Sequence, residues 1–246
     1  MNRVASFAYG ILCYAAFLAA FLYLVGFLAN IGVPSSIDFG RAASTGWALF
    51  INSLLLLLFG LQHSVMARPG FKAWITRFVP RQLERSTYLL ASSVALALLF
   101  WQWRPLPEAL YALQDPTART LLQGLFFAGV GLVLYSTFLI DHFDLFGLRQ
   151  AFLYLRRQEY TEKRFVTPHL YKFIRHPLYV GWILVFWATP DMSAGHLLFA
   201  LGMTGYILVA IPFEERDLGA ALGEEYERYR ASTPMFLPRF GGRGRA

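Results

Sequence analysis

Three constellations in the C-terminal third combine chemically capable residues at spacings that bring them together. In Arg175-His176-Pro177-Leu178-Tyr179, the proline suits the first turn of a helix, where its missing N–H has no intrahelical partner to lose. The N–H groups of such a turn can meet a polar or anionic ligand, and His176 and Tyr179, three apart, share a face. The same residues also fit a basic interfacial anchor followed by a proline helix start, and spacing leaves both readings open. Glu214-Glu215-Arg216-Asp217-Leu218 follows the last apolar segment directly. Lys or Arg is usual there, and a helix C-terminus disfavours carboxylates. Two carboxylates call for a cation, either Arg175 or Arg216 in a structural ion pair or the amine and sulfonium of a cationic ligand. The third constellation, Leu222-Gly223-Glu224-Glu225-Tyr226-Glu227-Arg228-Tyr229-Arg230, sets Tyr226 and Tyr229 on one face of an amphipathic helix, a pattern that equally fits a helix lying in the interface.

Further upstream, Asp141, His142 and Asp144 stand where an apolar segment ends. Asp141 and Asp144 can share a helical face. A carboxylate at a membrane boundary, or a histidine, can act as a base; the alternative is an ion-pair network with Arg149 or Arg175. His63, near the end of the second apolar segment, is the other candidate base, against the alternative of a hydrogen-bonded packing histidine. His169 and His196 receive no role. No HExxH or His-x-x-His spacing is present, and His169 and His176 lie seven apart without a carboxylate at ligand spacing, so no metal is expected. No GxGxxG follows a strand, which excludes a Rossmann-type cofactor domain. The single cysteine, Cys13, lies in an apolar run and can form no intramolecular disulfide.

The elements that position these residues are membrane helices. The 246 residues are 57% hydrophobic, 17% aromatic and only 15% charged, with a mean hydropathy of +0.45. A soluble domain averages about 25% charged residues, and one of this size lacks the interior to hide so much apolar surface. A disordered chain, a disulfide scaffold and an ordinary soluble enzyme are excluded. Five stretches reach or approach the length of a membrane span: Val4 to Ile31, Thr45 to Met66, Ser86 to Trp103, Thr120 to Ile140 and Ser193 to Ile211. The first is too long for a signal peptide and lacks a cleavage site. A shorter stretch, Leu178 to Pro190, precedes the last, and Thr189-Pro190-Asp191 reads as the turn of a tight helical hairpin.

The expected fold is all-α, a polytopic bundle of five to six membrane segments with a C-terminal helical hairpin, cytoplasmic loops and a C-terminal cytoplasmic helix. It forms a single domain over 1–246, with N-terminal membrane helices over 1–118, a cofactor-binding catalytic half over 119–240 and a flexible basic tail over 241–246. Of the 22 Lys and Arg, all but Arg41, Arg104 and Arg119 fall on one side of these segments. By the positive-inside rule that side is cytoplasmic, and both termini lie on it. The same rule accounts for the net charge of +7. No helix-turn-helix, zinc-finger or RNP-like pattern points to nucleic acid.

Taken in order, "RHPLYVGW", an apolar hairpin, "EERDL" and "GEEYERYR" resemble the C-terminal half of the isoprenylcysteine carboxyl methyltransferases, with the related phospholipid methyltransferases and NnrU-type membrane proteins. The resemblance extends upstream to the methanethiol S-methyltransferases of that superfamily through "HFDLFGLRQ", "FWATP" and Leu61-Gln62-His63-Ser64. It implies S-adenosylmethionine-dependent methylation of a small thiol, methanethiol, to dimethyl sulfide, with membrane lipid as the surroundings. It also implies a cofactor site made of Lys163, Arg164, Phe165 and Val166, then Tyr171, then His176, Pro177, Leu178 and Tyr179, then Glu214 and its neighbour Glu215. The prenylcysteine enzymes place a substrate-binding arginine four residues before that glutamate, where this chain has Ala210. Without a charge-assisted partner for a carboxylate, a small neutral acceptor fits better than a prenylcysteine carboxylate. The resemblance leaves Asp141, His142, Asp144 and His63 as the candidates to take the thiol proton. The alternatives are a prenylcysteine or phospholipid methyltransferase, or a non-enzymatic NnrU-like accessory protein.

Overall fold

The computed structural model describes residues 2–161 and 165–238. Its helices are α1 (Arg3–Ala29), α2 (Thr45–Ala67), the short α3 (Pro69–Ile75), α4 (Glu84–Gln102), α5 (Pro116–Leu139), α6 (His142–Leu145), α7 (Leu148–Leu155), α8 (Pro177–Trp187), α9 (Ala194–Leu222) and α10 (Glu224–Ser232). Five of them, α1, α2, α4 with the turn before it, α5 and α9, are long and apolar enough to cross a membrane. Their starts follow capping chemistry. The side chains of Asn2, Asp115 and Ser193 accept from the backbone N–H groups of Ala5, Ala118 and His196, satisfying donors that a helix N-terminus leaves orphaned.

Phe27, Leu99, Trp103, Phe186, Phe199, Ile207 and Ile211 pack in the interior, while Leu12, Leu22, Leu57, Leu61, Phe138, Leu208 and Val209 point outward and are exposed. Such outward apolar faces belong against hydrocarbon. α8 packs along α5 by close backbone approach: a Cβ on Gly129 would lie 3.0 Å from the Gly181 carbonyl oxygen, and one on Gly181 would lie 2.9 Å from the Val133 nitrogen. Small residues facing each other in this way are a common device of membrane helix pairs.

Two expectations need correction. The helical hairpin forms, but its turn is an extended connection over 188–193 and not the three residues Thr189-Pro190-Asp191 alone. α8 has 11 residues, about 16 Å at 1.5 Å per residue, short of the roughly 30 Å hydrocarbon core. An extended stretch follows it and ends in β2 (Asp191–Ser193), which pairs antiparallel with β1 (Ala109–Ala112) from the loop between α4 and α5. Apolar length alone does not register this switch, because the residues just after α8, Ala188 to Pro190, are as uncharged as the helical ones. Polar partners satisfy the connection's backbone: His196 Nε2 donates to the Phe186 carbonyl (2.9 Å), Tyr111 Oη to the Thr189 carbonyl (3.1 Å) and the Leu113 N–H to the Pro190 carbonyl (3.0 Å). Arg119 grips Asp191 with two nitrogens at 2.6 and 2.7 Å beside it.

The second correction concerns the last segment, which does not end at Ile211. α9 runs through Pro212 to Leu222, so the acidic run sits within the helix, away from its C-terminal dipole. Gly223, at φ +61°, then turns the chain into α10.

Candidate active site

At the end of the bundle that carries most Lys and Arg, α8, α9 and α10 meet. Arg175 Nε donates to Glu215 Oε1 at 2.8 Å, and Nε2 of His176, the residue capping α8, lies 3.0 Å from the same oxygen. Arg175 also donates to the carbonyls of Arg230 and Thr233. The backbone N–H groups of Arg175 and His176 donate to the carbonyls of Pro234 and Met235. The Arg175 and Glu215 side chains are only 11% and 10% exposed. Glu215 is therefore a neutralised, structural carboxylate that ties α8, α9 and the C-terminal segment together.

Glu214 is different. It is half-buried, and its Oε2 accepts from Tyr179 Oη at 2.7 Å. No Lys, Arg or His pairs with it among the described residues. Tyr179 also stacks on His176, with ring centroids 5.4 Å apart, as their three-residue spacing predicts. An aromatic wall stands beside this carboxylate. Tyr229 Oη donates to the Tyr171 carbonyl at 2.7 Å, and Phe165 sets its edge against Tyr226 and Tyr229 at 6.0 and 5.4 Å. Burial and then the nearby Glu214 carboxylate push the Tyr171 hydroxyl's pKa up, and burial pushes that of Tyr229 up to about 12. Both tyrosines are therefore neutral at physiological pH.

A second polar cluster lies inside the bundle between α2, α4 and α9. Tyr88 Oη stands 2.8 Å from His63 Nε2, and His63 Nδ1 lies 3.0 Å from Ser92 Oγ. The Ser92 hydroxyl donates to the Tyr88 carbonyl at 3.0 Å. With that hydrogen on the Tyr88 carbonyl, Ser92 is left to accept from His63 Nδ1, and the Nε2 lone pair faces Tyr88, whose hydroxyl also lies 3.3 Å from the His63 carbonyl. Phe59 stacks on the imidazole and Tyr206 meets it edge-on. Gly60 admits Tyr206 against α2, since a Cβ there would lie 3.0 Å from the ring. The neighbouring Gln62 Oε1 is buried and has no hydrogen-bond partner among the described residues. Tyr88, Tyr206 and Glu214 all stand close enough to Tyr179 to interact electrostatically, so this cluster and the Glu214 carboxylate face one region.

The third group, at the end of α5, is built differently from the shared helical face expected of Asp141 and Asp144. α5 stops at Leu139, and Asp141, at φ +86°, caps α6 by accepting from the Asp144 N–H at 3.3 Å. Asp144 is held by Arg149 at 2.8 Å, by Tyr160 Oη at 3.2 Å and, more loosely, by Arg85 at 3.8 Å. His142 is buried, with Tyr14 Oη 2.6 Å from Nε2 and Thr137 Oγ1 2.8 Å from Nδ1, and it stacks on Phe138 at 4.2 Å. Burial pushes its pKa below the ordinary histidine value. A shallow cleft of about 510 Å³ opens beside this group, lined by Phe138 through Phe143 and by Val166.

Of the residues anticipated for a cofactor, Phe165, Tyr171, His176, Tyr179, Glu214 and Glu215 gather in one place. Val166 joins that place to the cleft beside His142, and Pro177 and Leu178 form the first turn of α8. Lys163 and Arg164 lie outside the described residues. Among the anticipated bases, Asp144 and His142 are tied into structural networks, and His63 contacts Tyr88 and Tyr206, which stand near Glu214. Tyr88, Ser92 and Tyr206, which join His63 there, escape sequence reading because hydroxyl-bearing residues on apolar helices carry no periodic or charge signal. Ala210, one turn before Glu214, is buried.

The profile of the NnrU protein family matches residues 51–237 of this chain. A methanethiol S-methyltransferase of Mycobacterium tuberculosis is 52% identical over 97% of this chain and 98% of its own length. Methanethiol S-methyltransferase 2 of Bradyrhizobium diazoefficiens is 53% identical over 99% of this chain and 93% of its own length. Nurim of Sus scrofa is 32% identical over 76% of this chain and 78% of its own length. No solved structure matches it.

Proposed function

This chain belongs to the NnrU protein family, and from that membership we propose that it methylates methanethiol to dimethyl sulfide, with S-adenosylmethionine as the methyl donor. The observation that carries the reading is Glu214, a carboxylate bonded to Tyr179, without a cation partner among the described residues and beside an aromatic wall. That donor set fits a cationic cofactor, since a carboxylate pairs an amine and aromatic faces attract a cation. Glu214, Tyr179, Tyr171, Phe165 and Tyr229 would hold it, with Tyr226 packed behind them, together with Lys163, Arg164 and Val166 from the preceding segment. The names of the relatives in Mycobacterium and Bradyrhizobium support methanethiol as the acceptor. Ala210 supports it too, because no cation stands there to receive an acceptor carboxylate.

When bound, the cofactor supplies an electrophilic methyl group on a sulfonium. The protein's part is to hold the thiol sulfur in line with that methyl, exclude water and accept the thiol proton. Positioning of this kind contributes up to roughly 7–11 kcal/mol in the best intramolecular cases. The thiolate is the competent nucleophile. Of the four candidate bases, His63 takes the proton, because the tyrosine bonded to it, Tyr88, stands within electrostatic range of Glu214; Asp141, His142 and Asp144 hold the α5–α6 turn. The protein resides in the cytoplasmic membrane with both termini on the cytoplasmic side, where S-adenosylmethionine is made.

Purified protein in detergent micelles, given methyl-labelled S-adenosylmethionine and methanethiol, is expected to release labelled dimethyl sulfide into the headspace. The variant Glu214→Gln is expected to weaken cofactor binding at least about 10-fold, the loss of one charged hydrogen-bond partner. Folded wild-type protein that binds no S-adenosylmethionine would return the chain to an accessory role. Cofactor binding without a volatile product would move the acceptor to a lipid or prenylcysteine.

A further inference from the structure

The surroundings of His63 restrict how any acceptor can deliver a proton to it. Nδ1 is committed to Ser92 Oγ at 3.0 Å. Phe59 covers one face of the ring, and Tyr206 closes its edge. The remaining lone pair, on Nε2, is capped by Tyr88 Oη at 2.8 Å. With both ring nitrogens occupied, a proton enters the imidazole at Nε2 by way of the Tyr88 hydroxyl. Tyr88 is placed for this, because its hydroxyl stands within electrostatic range of Glu214 and Tyr206.

We propose that Tyr88 relays the proton of the acceptor thiol to His63, with Ser92 as the positioning residue that holds the imidazole in the accepting tautomer. The proposal rests on the methyl-transfer reading above. The S–H bond breaks as its proton passes to Tyr88 Oη, while the tyrosine's own proton passes to His63 Nε2. The freed sulfur lone pair forms the new S–CH3 bond, and the electron pair of the breaking donor C–S bond returns to the donor sulfur. One positive charge leaves the sulfonium as one appears on the imidazole, so the net charge of the buried site is unchanged. This limits the solvation cost of creating a buried cation. The proton afterwards leaves His63 by the same hydroxyl.

A pair of acceptors separates the relay from mere packing. Methanethiol must lose a proton, whereas methaneselenol is largely ionised at neutral pH and needs no base. In Tyr88→Phe, turnover of methanethiol should fall about 100-fold, the lower range of general acid–base contributions. Turnover of methaneselenol should fall less than about 3-fold, and S-adenosylmethionine binding should be unchanged. The wild type provides the check that needs no variant: a solvent deuterium isotope effect on methanethiol turnover, absent with methaneselenol. Equal losses on both acceptors, full methanethiol activity in Tyr88→Phe, or equal isotope effects would overturn the relay while leaving the methyltransferase in place. A folded wild type that methylates neither acceptor would overturn the parent reading and the relay with it.

Discussion

Two adjacent glutamates in this protein meet opposite surroundings. Glu215 faces Arg175 and His176 and is nearly sealed from solvent, whereas Glu214, one position earlier on the same helix, is turned toward Tyr179. Substituting each by glutamine should separate the roles. Glu215→Gln leaves the Arg175 charge buried and uncompensated, a change that costs about 3–5 kcal/mol; it should lower the melting temperature in detergent sharply. Glu214→Gln should leave that temperature within a few degrees and remove cofactor affinity instead. Equal melting temperatures for the two variants would contradict this division. His142 gives a prediction in pH. Its folded-state pKa is depressed by burial, so below the ordinary histidine value of about 6.5 the unfolded chain binds more protons than the folded one. Stability contributed by the neutral ring is complete above that value and is lost as pH falls toward the folded pKa. Melting temperature should therefore drop between pH 7 and pH 5, and His142→Gln should flatten that part of the profile.

At the scale of elements, the short α8 is held in place by its neighbours. α5 and α8 approach through Gly129 and Gly181, where an added methyl would meet backbone atoms that cannot yield. Gly129→Ala or Gly181→Ala should cost about 1–3 kcal/mol by overpacking. The cost should be read as a lower melting temperature, with residual activity per folded molecule close to wild type. By contrast, Gly131→Ala on α5, where a Cβ meets open space, should be neutral or slightly stabilising in an exposed helix. The turn between α5 and α7 depends on a different glycine. Gly147 lies at φ +81°, and a Cβ on it would sit 2.6 Å from the Ser86 nitrogen. Both the backbone conformation and the close approach require glycine there.

For the whole molecule, the two ends of the bundle differ in chemistry. One gathers α3, α6, α7 and α10 with most of the Lys and Arg. The other holds Arg104, whose backbone is gripped by Asn52 at 2.7 and 2.9 Å, and Arg119 with its partner Asp191. The proposed orientation puts the second end outside the cell. In a Cys13→Ala background, a cysteine at Gln114, beside β1, should react with a membrane-impermeant maleimide added to intact cells. A cysteine at Ser232 should react only after lysis. The reverse labelling pattern would invert the topology and place the Glu214 site on the side without S-adenosylmethionine.

The membrane class, the positions of the first four long spans and the start of the fifth, the asymmetry of Lys and Arg and the pairing of His176 with Tyr179 follow from the sequence alone. Each depends on composition or on a spacing of three to four residues along a helix, and such local quantities survive without knowledge of neighbours. The rest depended on contacts between distant residues. Arg175 and Glu215 are 40 positions apart, Tyr14 and His142 are 128 apart, and His63 meets Tyr88 across 25. Which of two adjacent glutamates is neutralised depends on the rotation of α9 against α8. Why a short apolar stretch still reaches β1 depends on the extended residues that follow it. That a histidine shares its lone pair with a tyrosine depends on the packing of α2 against α4. Hydropathy records that a residue is buried, and only tertiary packing decides what it is buried against.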